Sequence, residues 1–120
     1  MFQLHHTFKL DAAHQLTQLA EGHPCNHMHG HTWKVRVVVE ADSINEETGM
    51  LIDFHTIKSA CSVIIDAFDH KCLNDECEVL PTCECLARLF YVMLKAELFP
   101  VRLAWVEVEE TEGNSVRYGE

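Results

Sequence analysis

The amino-acid sequence predicts an α+β fold, in which a four-stranded antiparallel sheet carries two helices on one face. Two early segments alternate apolar and polar residues, which is typical of strands with one buried face. A central segment repeats its apolar residues every three or four positions, which is typical of a helix. Since strand pairs lie on both sides of the predicted helices along the chain, the order β-β-α-α-β-β is expected.

The first two strands are predicted over residues 2–10 and 32–41. In each of them the apolar residues occupy alternate positions, so one face is expected to meet the core and the other to face water. On the second strand the apolar face consists of Trp33, Val35, Val37, Val39 and Ala41. Residues 11–28 show no period and contain glycine and proline, which predicts a long loop between the two strands.

The two helices are predicted from their apolar faces and from their ends. The first covers residues 54–68, and its apolar stripe consists of Ile57, Cys61, Ile64 and Phe68. Residues 69–81 are predicted as loop. Thr82 is expected to cap the second helix, which ends before Pro100. The buried face of that helix is expected to contain Leu86, Leu89, Phe90 and Met93.

The last two strands are predicted over residues 101–111 and 115–118, with a glycine-containing turn at residues 112–114 between them. Alternation on the first of these strands puts Glu110 with Ala104, Val106 and Val108, and puts Glu107 and Glu109 with Leu103 and Trp105. One of these two faces is expected to meet the core.

Length and charge limit what the protein can be. With 120 residues, we expect a single domain over residues 1–120. The formal net charge is −10, with 19 acidic residues against 9 lysines and arginines, which argues against nucleic acid or an anionic membrane as the main partner. No apolar run approaches the roughly 20 residues of a membrane span, and the start lacks the apolar segment of a secretion signal. The six cysteines are therefore expected to be free thiols in the cytoplasm.

The histidine-rich stretch from Cys25 to His31 is the strongest functional signal in the chain. His29 and His31 have the same parity as Trp33, so they extend the apolar face of the second strand. Unpaired polar groups on a buried face are costly, and one metal ion would satisfy both imidazoles. Two hydrogen-bonded core histidines are the alternative interpretation of this pair.

A third imidazole is needed to complete a catalytic metal site. His14 on the preceding segment supplies it, and three histidines would leave zinc one open position for a substrate. His27 also fits the spacing, but we interpret it as a flanking residue. Cys25 lies just outside this set, and we interpret it as a catalytic thiol, because a thiolate is a base or nucleophile near neutral pH.

Two further groups of polar residues are candidates for chemistry. Asp69 and His70 are adjacent, and a carboxylate beside an imidazole can fix its tautomer and raise its basicity. A capped turn is the alternative for this pair. Glu110 ends an apolar strand face, where a carboxylate can grip a ligand that offers neighbouring N–H donors. A solvated acidic strand end is the alternative there.

Taken together, these residues resemble the 6-pyruvoyltetrahydropterin synthase superfamily, and more closely its bacterial branch, the 6-carboxytetrahydropterin synthases of queuosine biosynthesis. Six motifs carry the resemblance in order along nearly the whole chain: Phe8-x3-Ala12-Ala13-His14, Cys25-x3-His29-Gly30-His31, Gly49-Met50-x-Ile52-Asp53-Phe54, Asp69-His70-x2-Leu73-Asn74, Pro81-Thr82-x-Glu84, and Glu110-Thr111 before Tyr118-Gly119-Glu120. The three residues between the cysteine and His-Gly-His are similar to the carboxy type. Cys83 and Cys85 depart from the family, where many relatives have Thr or Ser and Asn.

The resemblance implies a role for each candidate residue. Zinc would be held by His14, His29 and His31. Cys25 would be the general base, and Asp69 with His70 would form a proton relay. Glu110 would anchor the pterin ring and couple to that relay, and Thr82 would contact the substrate. The implied enzyme is a zinc-dependent lyase, which converts 7,8-dihydroneopterin triphosphate to 6-carboxy-5,6,7,8-tetrahydropterin and releases acetaldehyde and triphosphate.

The resemblance also implies an assembly and leaves alternatives open. The family's tunnelling fold joins sheets around a three-fold axis into a barrel, and two trimers stack into a homohexamer with sites between subunits. The triphosphate would be held by Lys34, by Arg36 or by a neighbouring subunit. The alternatives are 6-pyruvoyltetrahydropterin synthase activity, a non-catalytic zinc- or pterin-binding module, and a hydrolase that uses cysteine, histidine and aspartate.

Overall fold

The computed structural model describes residues 1–120. The molecule is built on one five-stranded sheet. Along the chain the elements are β1 (Phe2–His14), β2 (His29–Ala41), α1 (Phe54–Phe68), β3 (Lys71–Cys72), α2 (Leu73–Glu76), α3 (Cys83–Leu98), β4 (Arg102–Thr111) and β5 (Asn114–Tyr118). In space the strands follow the order β3-β1-β2-β4-β5. None of the helices has the length and apolarity needed to cross a lipid bilayer.

The predicted α+β class is confirmed, but the prediction of a four-stranded antiparallel sheet with two helices is wrong in detail. A fifth strand, β3, pairs in parallel with β1 at Ala12 and Ala13, which makes the sheet mixed. A third helix, α2, follows β3 directly. Both elements lie within residues 69–81, for which the sequence predicts loop. Elements of two and four residues are too short to show a strand or helix period.

The first two strands form a long antiparallel ribbon with a continuous register. Phe2 lies opposite Ala41 at one end, and His14 lies opposite His29 at the other. The predicted loop over residues 11–28 is therefore four residues too long at its start, because β1 continues to His14. The pairing with β2 supplies backbone hydrogen-bond partners to these residues, which carry too little apolar alternation to indicate a strand on their own.

All three helices share one core with a single face of the sheet. The core residues of the two central strands are Trp33, Val35, Val37, Val39, Leu103, Val106 and Val108. Helix α1 has the predicted bounds, and Asp53 caps it through a 2.7 Å bond from the His55 N–H to Oδ1. Thr82 caps α3 as predicted. The buried face of α3 is shifted, since Leu89 and Met93 are only half-buried while Ala87, Tyr91, Leu94 and Leu98 join Leu86 and Phe90 in the core.

A β-bulge changes which residues of β4 face the core. The register shifts between Val38 and Val39, so that Trp105 lies opposite Val38 and Leu103 opposite Val39. Ala104 is the extra residue, and Leu103 therefore shares the core face with Val106. The predicted grouping of Leu103 with Trp105 is wrong, because strict alternation ends at the bulge.

We expect Phe90→Ala to destabilise the fold by about 3–5 kcal/mol, because the ring is 1% exposed and packs against Phe68. Val92→Ala is the matched control on the same helix, since Val92 is exposed, and its free energy of unfolding should change by less than about 0.5 kcal/mol. Urea unfolding measures both. Equal effects of the two variants would contradict the assignment of this helix face to the core.

Candidate functional site

The register of β1 against β2 brings three imidazoles together at one end of the ribbon. His14 pairs directly with His29, and His31 lies opposite the small residue Ala12. The ring centroids are 4.5 Å apart for His14 and His29, 4.8 Å for His29 and His31, and 5.2 Å for His14 and His31. One ring nitrogen from each histidine lies within 4.8 Å of the other two. This spacing is compatible with one shared metal ion.

The buried indole of Trp33 packs against the three-histidine cluster (His14, His29 and His31). Its Nε1–H donates to the Ala12 carbonyl at 3.1 Å, which ties β2 to β1 beside the cluster. The rings of His14 and His31 both meet the indole edge-on, with centroid distances of 4.9 and 5.3 Å. The indole therefore limits how these two imidazoles can rotate.

Two of the three imidazoles are oriented by backbone carbonyls. His14 Nδ1 lies 2.8 Å from the Pro81 oxygen, and His29 Nδ1 lies 2.5 Å from the His27 oxygen. A carbonyl can only accept, so the proton of a neutral ring must be on Nδ1 in both residues. The Nε2 lone pairs are then free for a metal, which is how protein partners usually orient metal-binding histidines.

Burial favours the neutral form of the ligand side chains. His14 is 0% exposed, and burial lowers the pKa of its imidazole, outweighing the Pro81 carbonyl and Glu110, which raise it. Burial also lowers the pKa of His31, against the opposing effect of Glu110. Only a neutral imidazole can bind a metal. These two side chains are therefore in the binding-competent form near neutral pH.

Two ring nitrogens of the cluster have no hydrogen-bond partner, and a metal ion would be a partner for both. The Nε2 atoms of His14 and His31 are buried and have no hydrogen-bond partner. Glu110 Oε1 lies 3.2 Å from the first and 3.6 Å from the second. A carboxylate oxygen and an unprotonated Nε2 are both acceptors, so a cation between them resolves the conflict. The residues present therefore fit a divalent metal of the kind that takes imidazole ligands.

A second cluster (Asp11, Asp69 and His70) lies beside β1. The Asp11 N–H donates to Asp69 Oδ1 at 2.9 Å, and the His70 N–H donates to the Asp11 carbonyl at 2.7 Å. His70 Nε2 lies 3.7 Å from Asp69 Oδ2, and its side chain is 78% exposed. The backbone of His70 adopts φ +58°, a conformation that costs about 1 kcal/mol or more for a residue with a side chain. Its contacts to β1 hold it there.

One cleft is bordered by residues of both clusters. Its volume is about 520 Å³, and it is lined by residues of β1, β2 and the segment from His70 to Cys72. His31 and His70 both line it, together with Asp11 and Thr32. The cleft therefore brings His70 next to one residue of the three-histidine cluster.

Cys25 lies in the loop over residues 15–28, outside the three-histidine cluster. Its side chain is half-buried, and its sulfur is not among the grouped ligand atoms. The Cys25 N–H donates to His23 Nδ1 at 3.0 Å, and its carbonyl accepts from the Leu16 N–H at 2.9 Å. The structure thus keeps Cys25 apart from the ligand set while holding its backbone at two points.

Glu110 and Thr82 are placed apart from Asp69 and His70. Glu110 lines a different cleft of about 380 Å³, together with Cys83 and residues of the β4–β5 turn. Its contacts are with His14 and His31, so within one chain Glu110 meets the three-histidine cluster rather than the Asp69–His70 pair. The Thr82 hydroxyl accepts from the Cys85 N–H at 3.2 Å and serves as the cap of α3.

Cys83 is hydrogen-bonded to β4, the strand that carries Glu110. Its thiol donates to the Val108 carbonyl at 3.0 Å. Burial, with the nearby Glu110 carboxylate, raises the pKa of this thiol to about 11. Cys83 is therefore a neutral hydrogen-bond donor at neutral pH.

Sequence reasoning missed three residues that support the site: Asp11, Asn74 and Pro81. Asp11 and Asn74 are polar residues within the recognised motifs, which was a usable signal. Pro81 contributes only its backbone carbonyl to His14. A carbonyl leaves no side-chain signature, so this contact could be found only from the structure.

Comparison with known proteins gives consistent matches over most of the chain. The family model described as 6-pyruvoyl tetrahydropterin synthase matches residues 3–120. The 6-carboxy-5,6,7,8-tetrahydropterin synthase of Bacillus subtilis is 30% identical, over 81% of this chain and 68% of that protein. A putative 6-pyruvoyl tetrahydrobiopterin synthase of Caenorhabditis elegans is 31% identical, over 78% of this chain and 71% of that protein.

A solved structure extends the similarity to the fold. The structure of Caenorhabditis elegans 6-pyruvoyl tetrahydropterin synthase superposes with a TM-score of 0.89 at 25% identity, covering 99% of this chain and 95% of that one. The two similar sequences carry different product names at nearly equal identity. Overall similarity therefore does not distinguish the two products.

We expect His29→Ala to lose nearly all bound metal, because the change removes one of three imidazole ligands. His27→Ala is the matched control, since His27 contacts the cluster only through its backbone carbonyl. Elemental analysis after dialysis measures metal per chain in both variants. Metal retained in His29→Ala and lost in His27→Ala would show that the ligand set is wrong.

Proposed function

The chain belongs to the 6-pyruvoyl tetrahydropterin synthase family, and on that premise we propose that it is a zinc-dependent lyase. The proposed substrate is 7,8-dihydroneopterin triphosphate, and the proposed products are 6-carboxy-5,6,7,8-tetrahydropterin, acetaldehyde and triphosphate. The observation that carries the proposal is the three-histidine cluster, in which the buried Nε2 atoms of His14 and His31 lack hydrogen-bond partners. The reaction would serve the queuosine pathway in the cytoplasm, and six free cysteines agree with that compartment.

The proposed metal is zinc, held by His14, His29 and His31. Three imidazoles leave one position for a ligand, which is the arrangement of catalytic rather than structural zinc. When bound there, zinc would act as a Lewis acid towards the side-chain hydroxyls of the substrate. The carbonyls of Pro81 and His27 orient the ligands, so the protein does not have to reorganise them on binding.

The proton transfers are assigned to residues of the chain. Cys25 would take a proton from the substrate side chain as the general base. His70 would return one. The Asp69 carboxylate, whose Oδ2 lies 3.7 Å from His70 Nε2, would stabilise the protonated imidazole. Elimination of triphosphate breaks a carbon–oxygen bond. One solvent water then adds to the side-chain carbon next to the ring, and cleavage of the carbon–carbon bond beside it releases acetaldehyde and leaves the carboxylate.

Substrate binding is assigned to the cleft that contains Glu110. The Glu110 carboxylate would accept hydrogen bonds from neighbouring N–H groups of the pterin ring. Thr82 and Cys83 lie at the start of α3 beside that cleft, where they would contact the ring edge. Lys34 and Arg36 lie on β2 and pair with Glu109 and Glu107, so a triphosphate would compete with those carboxylates for them.

The second candidate function is 6-pyruvoyltetrahydropterin synthase activity, in which triphosphate leaves without carbon–carbon cleavage. The two Caenorhabditis elegans matches favour it, at 31% and 25% identity. The spacing Cys25-x3-His29 favours the carboxy product, because the pyruvoyl type usually has a longer gap. The two reactions differ in whether acetaldehyde is formed.

We expect purified, zinc-loaded protein to convert dihydroneopterin triphosphate to carboxytetrahydropterin and acetaldehyde in equal amounts. Mass spectrometry of the pterin and derivatisation of the aldehyde measure both products. Triphosphate release with a pyruvoyl product and no aldehyde would select the second function. Absence of any turnover by the metal-loaded protein would contradict both.

We expect Cys25→Ala to keep its zinc and its fold while losing at least about 10²-fold in turnover, the lower range for a positioned base. Cys77→Ala is the control, because Cys77 caps α2 outside both clusters and should retain activity. Zinc content and initial rates are measured on the same preparations. Loss of zinc from Cys25→Ala would make this residue a ligand, and full activity would move the proton transfer elsewhere.

The proposed assembly is a homohexamer built from two trimers. Strand β1 pairs with β3 at only two positions, so most of its outer edge is open in the single chain. Open edges invite pairing with another chain. The exposed side chain of His70 would likewise complete a site at a subunit boundary.

We expect light scattering to give a mass near six times the 13.7 kDa of one chain. The assembly should persist on dilution into the concentration range of the activity assay. A monomer that is fully active under those conditions would overturn both the hexamer and the placement of sites between subunits.

A further inference from the structure

The loop over residues 15–28 carries Cys25, and a chain of amide side chains fastens it to the rest of the molecule. We propose that Asn74 is a positioning residue for Cys25, acting through Gln15 and Asn26. The proposal rests on the role of Cys25 in the proposed function. Its structural part, the fastening of the loop by Asn74, is tested independently of turnover.

Asn74 hydrogen-bonds to both backbone polar groups of Gln15. Its Oδ1 accepts from the Gln15 N–H at 2.8 Å, and its Nδ2 donates to the Gln15 carbonyl at 2.7 Å. The side-chain amide thus replaces the neighbouring strand that β1 lacks at this point, immediately after His14. Both groups are partly buried, so neither bond is easily replaced by water.

The side chain of Gln15 in turn binds Asn26, the residue that follows Cys25. Its Nε2 donates to Asn26 Oδ1 at 2.9 Å and approaches the Asn26 carbonyl at 3.4 Å. Asn26 Nδ2 in turn donates to the Leu19 carbonyl at 3.0 Å. With the bond from the Leu16 N–H to the Cys25 carbonyl, these contacts close the loop around Cys25.

These bonds matter because the other backbone hydrogen bonds of the loop join its own residues to one another. They run from Leu19 to Leu16, from His23 to Ala20 and from Asn26 to His23. Residues 20–24 are exposed, and helices and strands are absent from the whole loop. A general base must lie within about 2.6–3.2 Å of the proton that it removes. A displacement of about 1 Å at such a group can lower the rate roughly 10²-fold.

His14 does not depend on this chain of amides. It is fixed by its pairing with His29, by the Pro81 carbonyl and by the indole of Trp33. Loss of the Asn74 contact should therefore release Cys25 without releasing the metal. This separation distinguishes a positioning role from a general loss of structure.

The decisive variant is Asn74→Asp, which keeps the shape and the acceptor but replaces the donor to the Gln15 carbonyl with a repelling oxygen. Gln15→Ala is the second variant, because it removes only the link to Asn26 and keeps both backbone bonds to Asn74. Asn45→Ala is the matched control. Asn45 also accepts two backbone N–H bonds, from Glu47 at 2.8 Å and Thr48 at 3.1 Å, but in a distant turn.

Two measurements are made on the zinc-loaded full chain. Steady-state kinetics give kcat and KM for dihydroneopterin triphosphate. Alkylation by iodoacetamide, followed by peptide mass spectrometry, gives the reaction rate of each thiol. Cys61, Cys77 and Cys83 are the internal reference for an intact fold, because burial raises their pKa values to about 12, 11 and 11 and keeps them slow.

In Asn74→Asp and in Gln15→Ala we expect kcat to fall about 10- to 10²-fold with little change in KM. Cys25 should be alkylated several-fold faster, roughly in proportion to its increased exposure, while zinc content and the three reference thiols stay unchanged. Asn45→Ala should match the unaltered protein in every measurement.

The proposal is overturned if both variants alkylate Cys25 at the original rate. It is also overturned if the reference thiols or zinc change together with Cys25, since that result would mean a general structural role. If the unaltered protein shows no turnover, the proposed function fails. The alkylation rates then still decide whether Asn74 fastens the loop of Cys25.

Discussion

The site depends above all on the pairing register of β1 with β2. Side chains alternate between the two faces of a sheet, so a slip by one residue would turn every side chain of one strand to the opposite face. In the observed register His14, His29 and His31 share one face, and the rings of His14 and His31 contact the indole of Trp33. The same register buries Val35 and Val37 in the core. The energy that folds the sheet is thus also the energy that assembles the three-histidine cluster.

Residues that follow α1 along the chain are positioned by hydrogen bonds to the end of the β1–β2 ribbon. Asp69 and His70 bind the backbone of Asp11, and Asn74 binds the backbone of Gln15. Glu110 Oε1 lies 3.2 Å from His14 Nε2 and 3.6 Å from His31 Nε2. The imidazoles and this carboxylate together offer a position for a cation, in a chain whose formal net charge is −10.

The sequence predicts the long elements, whose apolar residues repeat with a clear period, and misses the two shortest ones. Helix α1 has its predicted bounds, and the parity of His29 and His31 with Trp33 holds in the structure. Strand β3 and helix α2 are too short to show a pattern, and the bulge at Ala104 depends on pairing with another strand. Likewise, the support that Pro81 and Asn74 give to the site depends on backbone contacts across 67 and 59 residues. No local pattern encodes such contacts.

We propose that three imidazoles and no thiol hold one metal, with a position left for substrate. X-ray absorption spectroscopy of the metal-loaded protein tests it most directly, because sulfur and nitrogen ligands differ by about 0.2–0.3 Å in their distance from zinc. We expect three imidazole nitrogens near 2.0–2.1 Å, completed by oxygen. Adding a pterin with a hydroxylated side chain should alter only the oxygen shell. A sulfur ligand near 2.3 Å would contradict the proposal, because Cys25 would then close the site.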